Sequence, residues 1–170
     1  MKKRHGFVSN SSSSSFIVIN DIGIDDVINL RNKYSDDVYI VGIDGKKCFG
    51  WQREIYNDVH SKINWASMQA IYPKIHQLYD INDIKLDDKI NYIFEDNRYL
   101  EMIETVIMNN LKCNVSFIEL IKDMDDFNAY IDHQSASYNN DSQLRMFQDE
   151  TTLESFLFNS KNFIENGNDN

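Results

Sequence analysis

Residues that interrupt regular structure are scarce in this chain. Its 170 residues include one proline, Pro73, and six glycines, so few positions end a helix or require a left-handed backbone. No apolar run reaches the roughly 20 residues that a bilayer-spanning helix needs. The sequence therefore predicts no membrane association.

Cysteine is also rare. The two cysteines, Cys48 and Cys113, form no CxxC pair, which indicates reduced thiols in a reducing compartment rather than a disulfide framework. A serine tract follows the basic N-terminus where a signal peptide would carry its apolar segment. We therefore expect a cytoplasmic protein.

Basic charge is in the minority. The chain has 17 lysines and arginines against 27 acidic residues, a formal net charge of −10. Such a surface repels a phosphate backbone, which argues against direct nucleic-acid binding. The acidic residues are scattered, which favours a role in solubility; the alternative is a surface that engages a basic groove on another protein.

Length and composition predict one α+β domain, with a mixed β-sheet packed by several α-helices. The predicted domain covers residues 16–164, between a polar Ser-rich segment at 1–15 and a disordered tail at 165–170. Predicted strands cover 16–19, 38–43, 47–51, 128–131 and an edge strand at 163–164, and predicted helices cover 24–34, 54–79, 98–111 and a short helix from Thr151.

Four details of this prediction concern single segments. Asp44-Gly45 predicts a hairpin between the second and third strands. Pro73 is expected to kink or split the long helix. Residues 114–121 fit either a strand or a helix, and the spacing of Thr151 and Glu154 predicts a capping box.

The serine tract is the first candidate site. Adjacent hydroxyls could bind an anion, cap backbone groups at a sheet edge or accept a phosphoryl group, whereas the alternative is a flexible tether. No G-x-S-x-G elbow is present, which argues against a serine hydrolase. The candidate binding residues are Ser9, Asn10, Ser11, Ser12, Ser13, Ser14 and Ser15.

A second candidate follows the predicted strand at 128–131. Asp132, His133, Gln134 and Ser135 are polar residues at a strand end, where binding or proton transfer is common. Asp132 and His133 would point to opposite faces if the strand continued, so they would not pair directly. The alternative is a loop that hydrogen-bonds its own backbone.

No pattern predicts a metal or a cofactor. The histidines lack the i, i+4 spacing of a zinc helix, and the aspartate pairs lack the calcium-loop pattern with its central glycine. Gly42, Gly45 and Gly50 span a predicted hairpin rather than a strand-to-helix turn, so no phosphate-binding loop is expected.

One stretch resembles a known signature. Residues 4–18, RHGFVSNSSSSSFIV, are similar to an N-terminal signature of proteins encoded by large tailed phages and some bacteria. Residues 49–51 with 61–65, and 130–135 with 156–170, resemble further parts of those proteins. The resemblance implies a phage origin and a compact cytoplasmic accessory protein, brings no established activity, and favours a functional role for the serine tract.

The leading hypothesis is a non-catalytic phage accessory protein that binds a host or phage protein, modulating host machinery or defence. The acidic surface, the aromatic content and the lack of a complete catalytic set support it. One alternative is an enzyme whose site combines the serine tract with Asp132–Ser135; another is a minor virion component. The oligomeric state and the partner stay open.

Overall fold

Both helices and strands build the protein, which confirms the α+β class. A computed structural model describes residues 13–25, 27–34, 38–43, 55–78, 91–119 and 144–168. In chain order the elements are β1 (Ser13–Val18), α1 (Val27–Tyr34), β2 (Val38–Ile43), β3 (Ile55–Tyr56), α2 (Val59–Leu78), α3 (Arg98–Leu111), β4 (Asn114–Glu119), a 3-10 helix (Arg145–Phe147), α4 (Glu150–Phe158) and β5 (Phe163–Asn168).

The described strands form two sheets, whereas the sequence predicts a single mixed sheet. β1, β5 and β3 make an antiparallel sheet in that order, while β2 and β4 form a parallel pair. β5 thus has a neighbour on each side and is not the predicted edge strand. It also includes residues 165–168, which the sequence assigns to a disordered tail. Pairing with β1 supplies the backbone partners that hold these polar residues in a strand.

β1 begins earlier than the sequence predicts. Its first residue is Ser13 rather than Phe16, so part of the serine tract belongs to the sheet. Ser13 is aligned with Asn168, Ser14 with Gly167 and Ser15 with Asn166. Serine has no strong preference for strands, but the neighbouring apolar residues Ile17 and Val18 are buried and extend the ladder into the tract.

α3 is the element that the sequence predicts best. Its bounds, Arg98–Leu111, are those predicted, and its buried residues recur at helical spacing: Leu100, Ile103, Val106, Ile107, Asn110 and Leu111. The Asn97 side chain caps its first turn by accepting hydrogen bonds from the backbone N–H groups of Tyr99 and Leu100, as expected of asparagine at this position. Lys112, at φ 57, ends the helix in the left-handed region.

α2 is one continuous helix through Pro73, so the proline does not split it. Pro73 lacks the N–H that would donate to the carbonyl of Gln69. The next carbonyl along the helix, that of Ala70, accepts a hydrogen bond from Asn97 Nδ2 at 3.0 Å. This bond links α2 to the N-terminus of α3. Residues 55–56, which the sequence includes in this helix, form β3.

Two further predictions are decided by hydrogen bonds, one set between distant strands and one within a helix turn. Residues 114–119 form a strand, β4, because they pair with β2. The last helix begins at Glu150 rather than Thr151. Its N-cap is Asp149, whose carboxylate accepts from the N–H of Thr152 at 2.7 Å, so the predicted capping box is wrong. The hairpin after β2 and the strand at 128–131 fall outside the described residues.

Buried apolar side chains from β1, α1, α2, α3, α4 and β5 form one hydrophobic cluster. Trp65 of α2 and Phe156 of α4 are fully buried within it. None of the described helices is both long and apolar enough to cross a membrane.

Candidate functional site

The residues predicted from the sequence fall in two groups. Ser13, Ser14 and Ser15 lie in β1, opposite the last residues of β5. The other candidates lie outside the described residues: Ser9, Asn10, Ser11, Ser12, Asp132, His133, Gln134 and Ser135. A site that combines the tract with the Asp132–Ser135 segment therefore stays a prediction.

A different part of the described chain concentrates polar contacts. The segment between β1 and α1, here called the front loop (residues 20–25), lies against the segment between α4 and β5, here called the back turn (residues 159–162). Side chains of one bond the backbone of the other across more than 130 positions of sequence. We call the two segments together the polar junction.

Asn162 is the centre of the polar junction. Its side chain is fully buried, and its Oδ1 accepts from the backbone N–H of Asn20 at 2.7 Å and of Asp21 at 3.1 Å. Its Nδ2 donates to the carbonyls of Asp21 at 2.9 Å and Ser155 at 2.7 Å. The amide thus uses both of its donors and both acceptor positions, which fixes the start of the front loop on α4.

The middle of the front loop is held by two further bonds. Gly23 donates its N–H to Ser155 Oγ at 3.0 Å, and its carbonyl accepts from Asn159 Nδ2 at 3.1 Å. Gly23 has φ +131, a backbone conformation that residues with a side chain rarely adopt. A glycine is therefore required here for the chain to reach both partners.

Asp25 closes the far end of the loop. Its N–H donates to the carbonyl of Phe158 at 3.0 Å, and its carboxylate accepts from Ser160 Oγ at 2.7 Å and Ser160 N–H at 2.8 Å. The hydroxyl bond of Ser160, then its amide bond and the charges of Lys62 and Lys161, lower the pKa of Asp25. Asp25 is therefore a carboxylate at neutral pH.

Asp21 and Lys161 form an ion pair at the rim of the junction. Lys161 Nζ lies 2.8 Å from Asp21 Oδ2, with the two side chains 65% and 47% exposed. The hydrogen bond and the charge of Lys161 lower the pKa of Asp21, and the same bond raises the pKa of Lys161. An exposed pair of this kind adds little stability, but it orients both side chains.

A buried lysine lies beneath the back turn. Lys62 of α2 is fully buried, and its Nζ donates to the carbonyls of Asn159 at 2.9 Å and Asn162 at 3.3 Å. Asn159 ends α4, so the ammonium lies at the negative end of that helix dipole. Because a buried charge is costly without partners, these bonds tie the back turn firmly to α2.

The front loop exposes two apolar side chains although its backbone is fixed. Ile22 is 63% exposed and Ile24 is 44% exposed. Apart from these two chain neighbours, no atom lies within 4 Å of the position that a Cβ on Gly23 would take. The polar junction therefore exposes two isoleucine side chains on a loop whose backbone is held by hydrogen bonds.

Sequence reasoning missed this site for a definite reason. Asn20, Asp21 and Gly23 indicate a turn after β1, and the front loop is that turn. The asparagine and serine content of residues 159–162 is equally typical of a turn. Nothing in either segment indicates that the other is its partner, because the contacts are between single groups and follow no period.

The junction holds no evident catalytic set. Its one hydroxyl belongs to Ser160, and the Asp25 carboxylate bonded to it has a lowered pKa and is therefore a weak base. In the part of the chain that the structure describes, no group of three or more His, Cys, Asp or Glu side chains could hold a metal ion. What the geometry does offer is a rigid, partly apolar surface.

Comparison with known proteins adds no relative: no family model matches this chain, and no curated protein or solved structure is significantly similar to it.

Proposed function

We propose that this protein is a non-catalytic, phage-encoded accessory protein of the host cytoplasm that binds another protein through its front loop. The observation that carries the proposal is the combination of a fixed backbone with exposed Ile22 and Ile24. The phage origin rests on the resemblance of the N-terminal serine signature.

Energetics favour binding at this loop. Full burial of an exposed isoleucine side chain contributes about 1.5–3 kcal/mol. Two such side chains in one loop can therefore contribute a large share of the binding free energy of a specific complex. A flexible loop loses conformational entropy when it binds, which offsets part of this free energy, whereas a loop that is already held in place does not. The hydrogen bonds of Asn162 and Gly23 supply that order in advance.

Scattered exposed apolar residues are common and need no explanation. The other large ones among the described residues, Ile55, Tyr92 and Met108, lie one each on β3, the helical turn at 91–94 and α3. Ile22 and Ile24 differ from them because they flank one glycine in one anchored loop. That pairing favours a contact surface.

A pull-down with matched variants tests the proposal. The tagged protein, an Ile22→Ser/Ile24→Ser variant and a Met108→Ser control are incubated with host and infected-cell lysates, and bound proteins are identified by mass spectrometry. We expect a stoichiometric partner with the wild type and the control that is lost with the double variant. Equal capture by all three would contradict binding at the front loop.

A deletion of residues 1–10 tests the N-terminal signature separately. If residues 1–10 add contacts to the same partner, the deletion weakens capture while leaving the thermal unfolding transition unchanged. Unchanged capture would exclude residues 1–10 from the interface.

A further inference from the structure

We propose that Asn166 is a self-deamidation site, and that its conversion to isoaspartate irreversibly separates the serine end of β1 from β5. Asn166-Gly167 is the only Asn-Gly pair in the sequence. It lies in β5, where Asn166 is aligned with Ser15 and Gly167 with Ser14. A chemically reactive dipeptide therefore belongs to the ladder that holds part of the serine tract.

The reaction needs only the chain and water. The backbone nitrogen of Gly167 attacks Cγ of the Asn166 side-chain amide, and the new C–N bond closes a succinimide ring. The Cγ–Nδ2 bond breaks, and Nδ2 leaves as ammonia with the proton from the Gly167 nitrogen. Water then opens the ring at one of its two carbonyls, which gives aspartate or isoaspartate without oxidation or reduction. Glycine favours the attack because it has no Cβ to crowd its nitrogen.

The ladder around Asn166 has few supporting contacts. β3 pairs with β5 only at Ile164 and Glu165, so among the described strands Asn166 has β1 as its one neighbour. At the other end of the ladder Ile17 is aligned with Ile164, and both are buried. The outer end instead pairs serines with an Asn-Gly-Asn run, and asparagine and glycine are disfavoured in strands. We therefore expect the outer end to open while the inner end stays paired.

This opening controls the reaction. In an antiparallel strand ψ is about +135°, which keeps the nitrogen of Gly167 away from Cγ of Asn166. The ring closes only after Asn166 rotates about ψ and leaves the strand conformation. Deamidation in the folded protein therefore proceeds from the open ladder, and its rate depends on how often that end opens.

Isoaspartate does not fit the original ladder. Its main chain runs through Cβ and Cγ, so β5 gains one backbone carbon between the Cα of residue 166 and the nitrogen of Gly167. An insertion in one strand disrupts pairing locally, and it also shifts the alternation of faces in the residues that follow. Aspartate, the other product, keeps the original backbone and adds only a charge. The isoaspartate product therefore leaves Ser14 and Ser15 without their partners.

Mass spectrometry of aged protein tests the site. The purified full-length protein is kept at physiological temperature and pH, folded in one sample and unfolded in guanidinium chloride in the other, and the peptide of residues 162–170 is followed over time. We expect Asn166 to convert in both samples, at least about five-fold more slowly in the folded one because the ladder must open first. Equal rates overturn control by the ladder. No conversion in the folded sample when the unfolded one is fully converted overturns the site.

Asn166→Gln is the control for the chemistry. It keeps an amide, but its longer side chain closes the ring far more slowly, so we expect the mass gain in this peptide to disappear. A mass gain that persists would assign the reaction to another asparagine of the peptide and overturn the proposal.

Two substitutions of Ser14 change the ladder and leave the reacting residues intact. Ser14→Pro removes a backbone N–H and weakens the strand opposite Gly167, so we expect the folded-state rate to rise toward the unfolded rate. Ser14→Val favours the strand and should slow the reaction. Thermal unfolding checks that both variants fold, and if the proline variant does not, the valine variant decides. A rate that does not depend on residue 14 overturns control by the ladder.

Hydrogen exchange tests the separation of the strands. The isoaspartate form is purified and compared with the wild type and with Asn166→Asp, which adds the charge on an unchanged backbone. We expect the amides of residues 13–15 to exchange faster in the isoaspartate form alone, while those of residues 17–18 stay protected. Equal protection in all three proteins overturns the separation. Faster exchange in Asn166→Asp as well would assign the effect to charge and overturn the role of the extra backbone carbon.

Discussion

The buried face of α3 and the polar junction hold the fold together by opposite means. α3 packs through apolar side chains spaced by three and four residues, such as Ile103 and Ile107. The junction is held by directional hydrogen bonds, and three of the four made by the Asn162 side chain join positions 141 or 142 residues apart. Apolar packing tolerates small shifts, whereas a network of this kind allows one arrangement.

This difference bears on function. Apolar packing stabilises a surface, but because it is not directional it does not fix the position of a loop. The junction fixes the front loop in one position and still leaves Ile22 and Ile24 exposed. Directional bonds therefore build the part of the molecule that we propose to bind a partner, and apolar packing builds the body that supports it.

The largest expected effect breaks the apolar side of this comparison. Ile107→Ala, at a fully buried position, should lower the free energy of unfolding by about 2–5 kcal/mol, because it leaves a cavity in the core. The neighbouring Met108→Ala, at an exposed position, should change it by less than about 0.5 kcal/mol. Urea denaturation followed by circular dichroism measures both, and equal effects would show that this face is not packed as described.

The next effect breaks the polar side. Asn162→Leu keeps the branched arrangement of four side-chain heavy atoms but removes all four side-chain hydrogen bonds, and we expect a loss of about 2–4 kcal/mol because their buried and partly buried partners stay unsatisfied. Asn20→Ala, which removes one exposed bond to the carbonyl of Lys161, should cost no more than about 1 kcal/mol. The same urea experiment compares them; a neutral Asn162→Leu would mean that the junction is not a buried network.

A cap sharpens the comparison, since it is polar but local in sequence. Asp149→Ala should destabilise the protein by about 1 kcal/mol, because the N–H of Thr152 loses its acceptor at the start of α4. Asp149→Ser should restore most of that loss. Thermal unfolding measures the stability of both variants. Equal stability of the alanine and serine variants would show that a side-chain cap at position 149 does not stabilise α4.

The smallest effect concerns pH at the rim of the junction. The bonds to Ser160 lower the folded-state pKa of Asp25. The stability that these bonds contribute is therefore present above the unfolded-state pKa, and it is lost as pH falls through the lower folded-state pKa. We expect the amide signal of Ser160 in NMR spectra to titrate with a midpoint below the ordinary aspartate value of about 3.9.

Ser160→Ala is the control for that titration. Removing the hydroxyl should move the pKa of Asp25 toward its ordinary value, which can be followed at the carboxyl carbon of Asp25. A midpoint that stays unchanged would assign the shift to the remaining backbone N–H bond of residue 160 and to the nearby charges of Lys62 and Lys161.

The sequence predicted the elements that have a local signature. The bounds of α3 and its inward residues follow from a helical period, and the β2 strand, Val38–Ile43, follows from a run of β-branched and apolar residues. The start of α4 was misplaced by one residue, because both Asp149 and Thr151 can cap a helix. Only the hydrogen bond to Thr152 decides between them.

What the sequence could not determine is which distant segments meet. β5 reads as an edge strand because Phe163 and Ile164 are its only consecutive apolar residues; β1 and β3, from elsewhere in the chain, make it central. The candidate site is harder still, because Asn20 and Asn162 look like ordinary turn residues in isolation. The sequence by itself determined the α+β class and the apolar face of α3, since the spacing of apolar residues within one segment predicts which side chains are buried. The tertiary structure alone decided the polar junction, since hydrogen bonds between single groups depend on their positions in space.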